Sequence, residues 1–362
     1  MKTLHAKATL RTKSLLLPVT FLAVALILTA CGGSGDGMTS TPTATPPVVQ
    51  SCINGATDYP TCSPAVSPAN LQLTVPAPPY AAGSEDLKAF NYLNDLRQKM
   101  GLGLLAYSAE LDKASANHAN YLVINKVYQH DEDPLKSGFT GVNATAQARF
   151  AGYSTNYWIG GGLAMSNSKT GTIAILVNTV YHRSQLFGQN WRDTGSATFC
   201  YPPNCLSTDG VVNNIFLGQN DPQGQTNASD FVTVYPIDHQ VDVPLSMGNE
   251  HPTPFPVEYP DELTYKKVGS PVSFYVESKQ ILILKTFTMT QADQMTPVDA
   301  FVRTKANDPN ALFIGNNEAY LVAKAPLKPL TTYNMKVTAS VNGKDIEKAW
   351  SFTTAEKYMP SF

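Results

Sequence analysis

The stretch from Leu87 to Arg192 constrains the fold of this chain most strongly, because it carries four segments with helical periodicity. The first follows Ser84, a favoured N-cap residue type, and spaces its apolar side chains by three and four: Leu87, Phe90, Leu93, Leu96 and Met100. The second begins at Ser108, and the third covers 144–151. The fourth carries one apolar stripe, formed by Ile173, Leu176, Val177, Val180 and Tyr181. His182 follows this stripe and is predicted at the C-terminal end of the helix, where the helix dipole favours a cationic imidazole.

Beyond the helices, the sequence changes to the short apolar runs of β-strands. Residues 213–218 and 231–235 are two such runs around a turn signal, and they predict a hairpin. After Val257 no helical period is found, and strand-like runs recur over 272–276, 281–284, 312–314, 319–322, 333–337 and 350–353. This spacing predicts a β-sandwich in which Asn342-Gly343 joins the last two strands. Alternation predicts three side chains on the buried face of the strand before that turn: Tyr333, Met335 and Val337.

A succession of motifs within residues 82–256 carries a family resemblance. The motifs are Leu93-Asn94-Asp95-Leu96-Arg97, Gly101-Leu102, Leu105-Ala106-Tyr107, His118-Ala119, Tyr128-Gln129-His130, Arg149-Phe150-Ala151-Gly152-Tyr153 and Tyr181-His182-Arg183. In order and spacing they resemble the CAP family (cysteine-rich secretory, antigen 5 and pathogenesis-related proteins) in its bacterial, SCP-like form. The resemblance implies an α-β-α sandwich. The stretch from Pro329 to Thr354 resembles bacterial Ig-like modules, so the predicted fold class is α+β: a CAP sandwich followed by an all-β Ig-like sandwich.

The resemblance also implies a cleft built around two histidines. His130 and His182 match the histidines of the CAP cavity, and we expect them to share one cleft. That cavity normally includes a glutamate in a Gly-Glu-Asn context, but Gly161 and Gly162 stand at the corresponding place, so the carboxylate is missing. We therefore expect a catalytically poor cleft that holds a divalent metal only loosely. A third histidine, His118, falls on the apolar side of the second helix and is predicted as a packed core residue.

The N-terminus predicts export and lipid anchoring. Basic residues precede an apolar run over 15–28, which is short for a membrane span and ends in Leu28-Thr29-Ala30-Cys31. This box resembles those of bacterial lipoproteins, whose cysteine is acylated after cleavage. An ordinary signal peptide or an uncleaved signal anchor is the alternative. Gly32 stands where an aspartate retains some lipoproteins at the inner membrane, so an outer-membrane location is predicted.

The predicted organisation has four parts: a signal peptide over 1–30, Cys31 with a disordered Pro-, Gly- and Thr-rich tether over 31–82, a CAP domain over 83–256 and an Ig-like domain over 257–356. Four further cysteines fall into local pairs, Cys52 with Cys62 and Cys200 with Cys205, and are predicted as disulfides in an oxidising compartment. Metal binding is the competing interpretation of these short loops, but no histidine lies near them.

Composition and motifs exclude several classes of function. The net charge of −2, without basic runs beyond the N-terminus, argues against a nucleic-acid partner. The sequence has no His-Glu-x-x-His, Gly-x-Ser-x-Gly or Cys-x-x-Cys motif and no phosphate-binding loop. The run His130-Asp131-Glu132-Asp133 lacks the spacing of a calcium loop and is predicted as an exposed acidic turn.

Three classes of function stay open. The first, which we expect, is a non-catalytic, membrane-anchored CAP module that needs no cofactor and binds a lipid-like, envelope or protein ligand. The second is a metal-assisted hydrolase using His130 and His182, which a carboxylate reaching them in space, such as Asp131 or Asp133, would favour. The third is an adhesin or structural spacer that acts through the Ig-like domain.

Overall fold

The computed structural model describes residues 68–166, 168–200, 211–220, 224–255 and 268–357. Cys31, Cys52, Cys62 and Cys205 lie outside these residues, as do the predicted signal peptide and most of the predicted tether. Lipidation and both disulfides therefore stay predictions. Within the described ranges, no helix is both long enough and apolar enough to cross a membrane.

The helices of the described chain are α1 (Glu85–Lys99), α2 (Ala109–Asn125), α3 (Ala144–Ala151), α4 (Lys169–Val177) and α5 (Tyr181–Leu186). The N-caps of the first three are Ser84, Ser108 and Asn143, and each side chain accepts a hydrogen bond from the backbone N–H three residues later. Gly152, with φ of 107°, ends α3 in the left-handed conformation that glycine favours. The sequence-based predictions of these three helices are confirmed.

The prediction of one continuous fourth helix is wrong, because the backbone breaks between α4 and α5. At the break, the Thr179 hydroxyl donates to Leu176 O at 2.8 Å, and Asn178 Nδ2 donates to Ser246 O at 2.7 Å. His182 consequently lies in the first turn of α5 and not at the C-terminal end of a helix. The dipole argument for a cationic imidazole therefore fails, since the N-terminal end of a helix favours negative charge.

The first sheet consists of β1 (Ala106–Tyr107), β2 (Gly160–Met165), β3 (Asp193–Cys200) and β4 (Val211–Gly218), in the order β1-β3-β4-β2. α2 and α3 pack on one face, where Leu111 and Ala148 meet Phe216. α1, α4 and α5 contribute to the core on the other face, which contains Leu93 and Ile215. Ile215 and Phe216, which are consecutive in β4, thus pack against the helices on opposite faces of the sheet. The predicted α-β-α sandwich is confirmed.

Two further four-stranded sheets follow. One has the order β5-β7-β10-β9, with β5 (Val232–Tyr235), β7 (Val272–Val276), β9 (Ala300–Thr304) and β10 (Glu318–Ala323). The other has the order β6-β12-β11-β8, with β6 (Gln240–Val243), β8 (Leu282–Gln291), β11 (Thr332–Val341) and β12 (Lys344–Thr354). They share one apolar core, so the β-rich C-terminal part and the α+β class are confirmed.

The predicted hairpin between the last two strands and its buried side chains are also confirmed. Asn342 and Gly343 adopt positive φ values of 50° and 79° in the turn between β11 and β12, as a tight hairpin requires. The side chains of Tyr333, Met335 and Val337 are buried in the shared core.

Two strand predictions are wrong. The runs 213–218 and 231–235 do not form a hairpin, because β4 is already paired on both edges, with β2 and β3, and β5 pairs with β7 instead. The run 312–314 is not a strand: Ala311–Phe313 form a 3₁₀ turn in which Leu312 is exposed.

The last part of the predicted tether is packed on the sheet and is not disordered. Asn70 bridges to Thr226, and the Gln72 side chain donates to Leu104 O and Arg192 O. Tyr80 donates its hydroxyl to Asp112 Oδ1 at 2.8 Å. A proline-rich composition did not predict these contacts, because single polar and aromatic side chains make them.

The helical part and the β-rich part share an apolar core. β7 and β10 are buried on both faces: Phe274 and Leu321 face the second sheet of the sandwich, whereas Tyr275 and Tyr320 belong to the core that contains α1, α4 and α5. β5 and β6 precede residue 256 and pair with strands that follow it, so the predicted CAP segment contributes two strands to the C-terminal sheets.

Candidate functional site

The structure brings His130 and His182 together. Their ring centroids lie 6.3 Å apart, with the ring planes at 39°. His130 is in the turn after α2, where Gln147 Nε2 donates to its carbonyl at 3.3 Å. His182 is in the first turn of α5. Two elements that are distant in sequence therefore bring their imidazoles side by side, at the place where the sequence predicts a cleft.

A buried carboxylate, Glu250, holds His182 in place. Its Oε1 lies 3.0 Å from His182 Nδ1 and accepts the backbone N–H groups of Tyr181 at 2.7 Å and His182 at 3.0 Å. Its Oε2 accepts the N–H of Val180 at 2.8 Å. These amides are unpaired within a helix because they lie at its N-terminus, where an anion is favoured. Glu250 thus positions both α5 and the His182 ring.

The expectation of a cleft without a carboxylate is therefore wrong. A Cβ on Gly162 would lie 3.5 Å from His182 Cδ2, so a local acidic residue there would meet this imidazole. Glu250 instead reaches it from a position 68 residues later in the chain. The sequence held one signal: Glu250 is the single carboxylate in the Pro-rich stretch 244–256.

The two acidic residues that the sequence offered for this role do not fill it. Asp131 is exposed, and Asp133 Oδ1 accepts the N–H of Leu135 within its own turn. The prediction of an exposed acidic turn is wrong for Glu132, which is 3% exposed. It turns inward because the backbone amides of Thr140 and Gly141 offer it hydrogen bonds.

Glu132 pairs with His118 in the core, beside the turn that carries His130. Its Oε1 lies 3.0 Å from His118 Nδ1, and His118 Nε2 lies 3.1 Å from Gln129 O. Both ring nitrogens are thus used within the core, and the side chain is 1% exposed. The prediction of His118 as a packed core residue is confirmed.

The ring nitrogens of His130 and His182 differ from those of His118 in having fewer partners within the protein. In the tautomer that donates Nδ1–H to Glu250, the Nε2 of a neutral His182 carries the lone pair. Neither this Nε2 nor the ring nitrogens of His130 have a hydrogen-bond partner among the described residues, and they are not enclosed. Burial lowers the pKa of His130 below its ordinary 6.5, and His182 and His118 lower it further. A neutral His130 also offers a lone pair to the cleft.

The geometry fits a divalent cation only with a small adjustment. Two imidazoles on one tetrahedral zinc ion, with Zn–N of about 2.1 Å, have ring centroids about 5 Å apart. The rings of His130 and His182, 6.3 Å apart, must approach by roughly 1 Å to share such an ion. No cluster of three or more His, Cys, Asp or Glu side chains suited to a metal occurs in the part of the chain that the structure describes. Water or ligand atoms must complete the coordination.

The β-rich part of the chain holds the helix that carries His182. The Tyr181 hydroxyl donates to Asp308 Oδ1 at 2.6 Å, and the Ser184 hydroxyl donates to Glu318 Oε1 at 2.6 Å. Arg183 Nη1 donates to Pro271 O at 2.6 Å. Together with the contact between Glu250 and His182, these hydrogen bonds attach four successive residues of α5, 181–184, to segments that follow the first sheet.

A family model and several solved structures are similar to parts of this chain. Residues 90–208 match the model of the cysteine-rich secretory protein family, CAP. Among solved structures, the chain is similar to an outer surface protein from Borrelia burgdorferi, at 18% identity and a TM-score of 0.33, covering 39% of this chain and 97% of that chain. It is also similar to an extracellular protein containing an SCP domain from Bacillus anthracis str. Ames, at 16% identity and a TM-score of 0.31, covering 37% of this chain and 40% of that chain. No curated protein matches the sequence. The match to the family model identifies residues 90–208 as a CAP domain.

Proposed function

We propose that this protein is a bacterial envelope lipoprotein whose CAP domain binds its ligand in the cleft between His130 and His182, with a loosely held divalent cation between protein and ligand. The observation that carries the proposal is the convergence of two imidazoles whose open nitrogens have no partner among the described residues. Two imidazole nitrogens bind a cation but do not saturate it, so a ligand oxygen can enter its coordination shell. An envelope component or a partner protein bearing carboxylate or phosphate groups suits this chemistry, as does a lipid-like ligand with such a headgroup.

Zinc titration by calorimetry tests the cation site. We expect wild-type protein to bind one zinc ion with a dissociation constant weaker than micromolar, and the double variant His130→Ala/His182→Ala to bind none. His239→Ala is the matched control, because that side chain is 84% exposed and lies on the segment between β5 and β6. Absence of binding to the wild type, or equal binding to the double variant, would contradict the proposal. Binding at micromolar affinity or tighter would favour the hydrolase described next.

The pairing of Glu250 with His182 favours a second candidate, a hydrolase. A carboxylate on Nδ1 fixes the imidazole tautomer, so Nε2 can take a proton from an attacking water. His130 or a cation beside it would then orient the substrate. Turnover of model esters or phosphodiesters that is lost in His182→Ala and reduced in Glu250→Gln would support this function. Equal turnover in the wild type and His182→Ala would exclude His182 as the base.

The anchoring part of the proposal rests on the motif Leu28-Thr29-Ala30-Cys31 and on the basic and apolar stretches before it. Several acyl chains on one cysteine bind a membrane stably, whereas one chain binds marginally. In Cys31→Ser we expect an unacylated precursor that changes in mass and in membrane fractionation. The same mature mass and the same fractionation in that variant would contradict the lipid anchor. Gly32 favours the outer membrane, and fractionation of inner from outer membranes tests that location.

A further inference from the structure

A groove with a volume of about 580 Å³ lies at the N-terminal end of α2, and this volume is within the range of about 300–1,000 Å³ that is usual for small-molecule sites. Four parts of the chain form its walls: the first turn of α2, the residues after α3, the start of β3 and the residue after β4. Neither His130 nor His182 lines it, so this α2 groove is separate from the histidine cleft. The groove is lined by Tyr107, Ser108, Ala109, Glu110, Gly152, Tyr153, Ser154, Asp193 and Asn220.

Two tyrosines form the aromatic part of the α2 groove. Tyr107 is half-buried on β1, which pairs with β3, and the ring of Tyr80 meets it at 82° with the centroids 5.2 Å apart. Strand pairing and this edge-to-face contact hold the Tyr107 ring in place. Tyr153 is buried, and its hydroxyl donates to Asp193 Oδ2 at 2.6 Å. One tyrosine therefore offers a fixed ring surface, and the other orients a carboxylate.

Four polar side chains of the α2 groove keep hydrogen-bonding capacity that the described part of the protein does not use. Glu110 Oε2 accepts the Ser108 hydroxyl at 2.8 Å, whereas Glu110 Oε1 has no partner there. Asp193 Oδ1 also has no partner there and is not enclosed. The side chains of Ser154 and Asn220 are exposed and make no hydrogen bond to a described residue. The groove thus combines two carboxylate acceptors with two groups that both donate and accept.

The charges of the α2 groove indicate which ligands suit it. Its lining contains two carboxylates and no lysine, arginine or histidine, so it repels anions. Burial raises the pKa of Asp193, because removal from water disfavours the carboxylate anion, and hydroxyl groups that donate to this anion replace the lost water. An ammonium group also donates to carboxylates, but it cannot accept from Ser154 or Asn220. A ligand with several hydroxyls uses both kinds of group.

We propose that the α2 groove binds a neutral saccharide, with hydroxyls on the carboxylates of Glu110 and Asp193 and the C–H face of one sugar ring against Tyr107. A hydrogen bond from a hydroxyl to a carboxylate is about twice as strong as one between neutral groups. Asn220 and Ser154 bond to further hydroxyls at the rim of the groove. This binding does not depend on the cation proposed for the histidine cleft.

Calorimetric titration of the intact protein in EDTA tests the site with three neutral trisaccharides: maltotriose, cellotriose and chitotriose. We expect at least one of them to bind with one molecule per chain. Trigalacturonate, which carries carboxylates, and hexylamine, which carries an ammonium group and no hydroxyls, should bind at least about tenfold more weakly. The absence of saturable binding of all three trisaccharides would refute the proposal. Equal affinity for trigalacturonate would overturn the role of the carboxylates, and equal affinity for hexylamine would overturn the choice of a saccharide.

Matched pairs of variants locate the binding without loss of the fold. Glu110 and Glu85 are both exposed or half-exposed acids in the first turn of a helix, but only Glu110 lines the α2 groove. Asn220 and Asn316 are both exposed, and only Asn220 lines it. Glu110→Ala and Asn220→Ala should each weaken trisaccharide binding at least about threefold, and Glu85→Ala and Asn316→Ala should leave it unchanged. The same affinity in both members of each pair would refute the site.

The histidine cleft serves as the last control. The double variant His130→Ala/His182→Ala should bind the trisaccharide as tightly as the wild type does, because neither histidine lines the α2 groove. Loss of trisaccharide binding in this variant would place the saccharide in the histidine cleft and overturn the proposal.

Discussion

Replacement of Glu250 tests whether one buried carboxylate builds the cleft. In Glu250→Gln the remaining carbonyl oxygen can keep the three contacts that Oε1 makes, with the amides of Tyr181 and His182 and with His182 Nδ1. The amide group that replaces Oε2 then faces the N–H of Val180, so two donors oppose each other. Glu250→Ala removes all four contacts and leaves the first turn of α5 without acceptors.

The expected magnitudes follow from this difference. One buried donor left unpaired costs about 1–3 kcal/mol, so Glu250→Gln should lower the free energy of unfolding by that amount. Glu250→Ala leaves several such donors without an acceptor, so its loss should exceed that of Glu250→Gln. The loss of a carboxylate that orients a metal-binding histidine reduces metal affinity about 10–100-fold. Glu250→Gln should therefore weaken the zinc affinity of the cleft by about that factor.

Urea unfolding and zinc calorimetry on the same preparations separate the two effects. Glu318→Gln is the control, since Glu318 is also buried and also holds α5, through Ser184, but does not contact His182. We expect both variants to lose stability and only Glu250→Gln to lose zinc affinity. If Glu250→Gln loses stability and keeps wild-type zinc affinity, Glu250 merely caps a helix and does not tune His182. If the two variants lose zinc affinity equally, general loosening of α5 explains the effect.

Three further predictions address other parts of the chain. Cys200 and Cys205 should resist alkylation in native, unreduced, exported protein, and this short disulfide should contribute on the order of 2 kcal/mol; ready alkylation of both thiols would contradict it. Burial raises the pKa of Glu318 above its ordinary 4.5, so the folded state binds the Glu318 proton more tightly than the unfolded state does. The stability that this proton contributes is present below pH 4.5 and is lost as the pH rises through the folded-state pKa. Glu318→Gln should flatten this part of the pH profile in urea unfolding, and an unchanged profile would refute the assignment. Gly195→Ala places a Cβ against the backbone of α2 at Asp112 and should lower the free energy of unfolding by about 1–3 kcal/mol. A thermal unfolding midpoint equal to that of the wild type would contradict this prediction and show that α2 shifts over β3 without cost.

The parts of the fold that the sequence predicted are those decided within a few residues. Ser84, Ser108 and Asn143 cap helices with bonds to residues three positions later, and Asn342-Gly343 turns a hairpin within two residues. Such signals depend on backbone chemistry that neighbouring residues supply. They are readable without knowledge of the tertiary structure.

The errors arise where distant segments compete for backbone groups. The apolar stripe over Ile173–Tyr181 predicted one helix, but the amides of Val180 and Tyr181 bond to Glu250, and the helix breaks. The family resemblance identified both histidines but no carboxylate, because it places the glutamate at one point in the order of motifs, where this chain has Gly161 and Gly162. Glu250 lies outside the matched stretch 90–208 and meets His182 only after folding.

Because α5 is bound by strands that come later in the chain, its hydrogen bonds cannot all form until those strands have been synthesised. During synthesis the chain emerges from its N-terminus, so both histidines are made before Glu250, Asp308 and Glu318. A polypeptide cut short after Phe255 has the whole stretch that the family model matches, yet it lacks the acceptors of Tyr181 and Ser184. The full set of hydrogen bonds that hold α5 therefore forms only after Asp308 and Glu318 have been made.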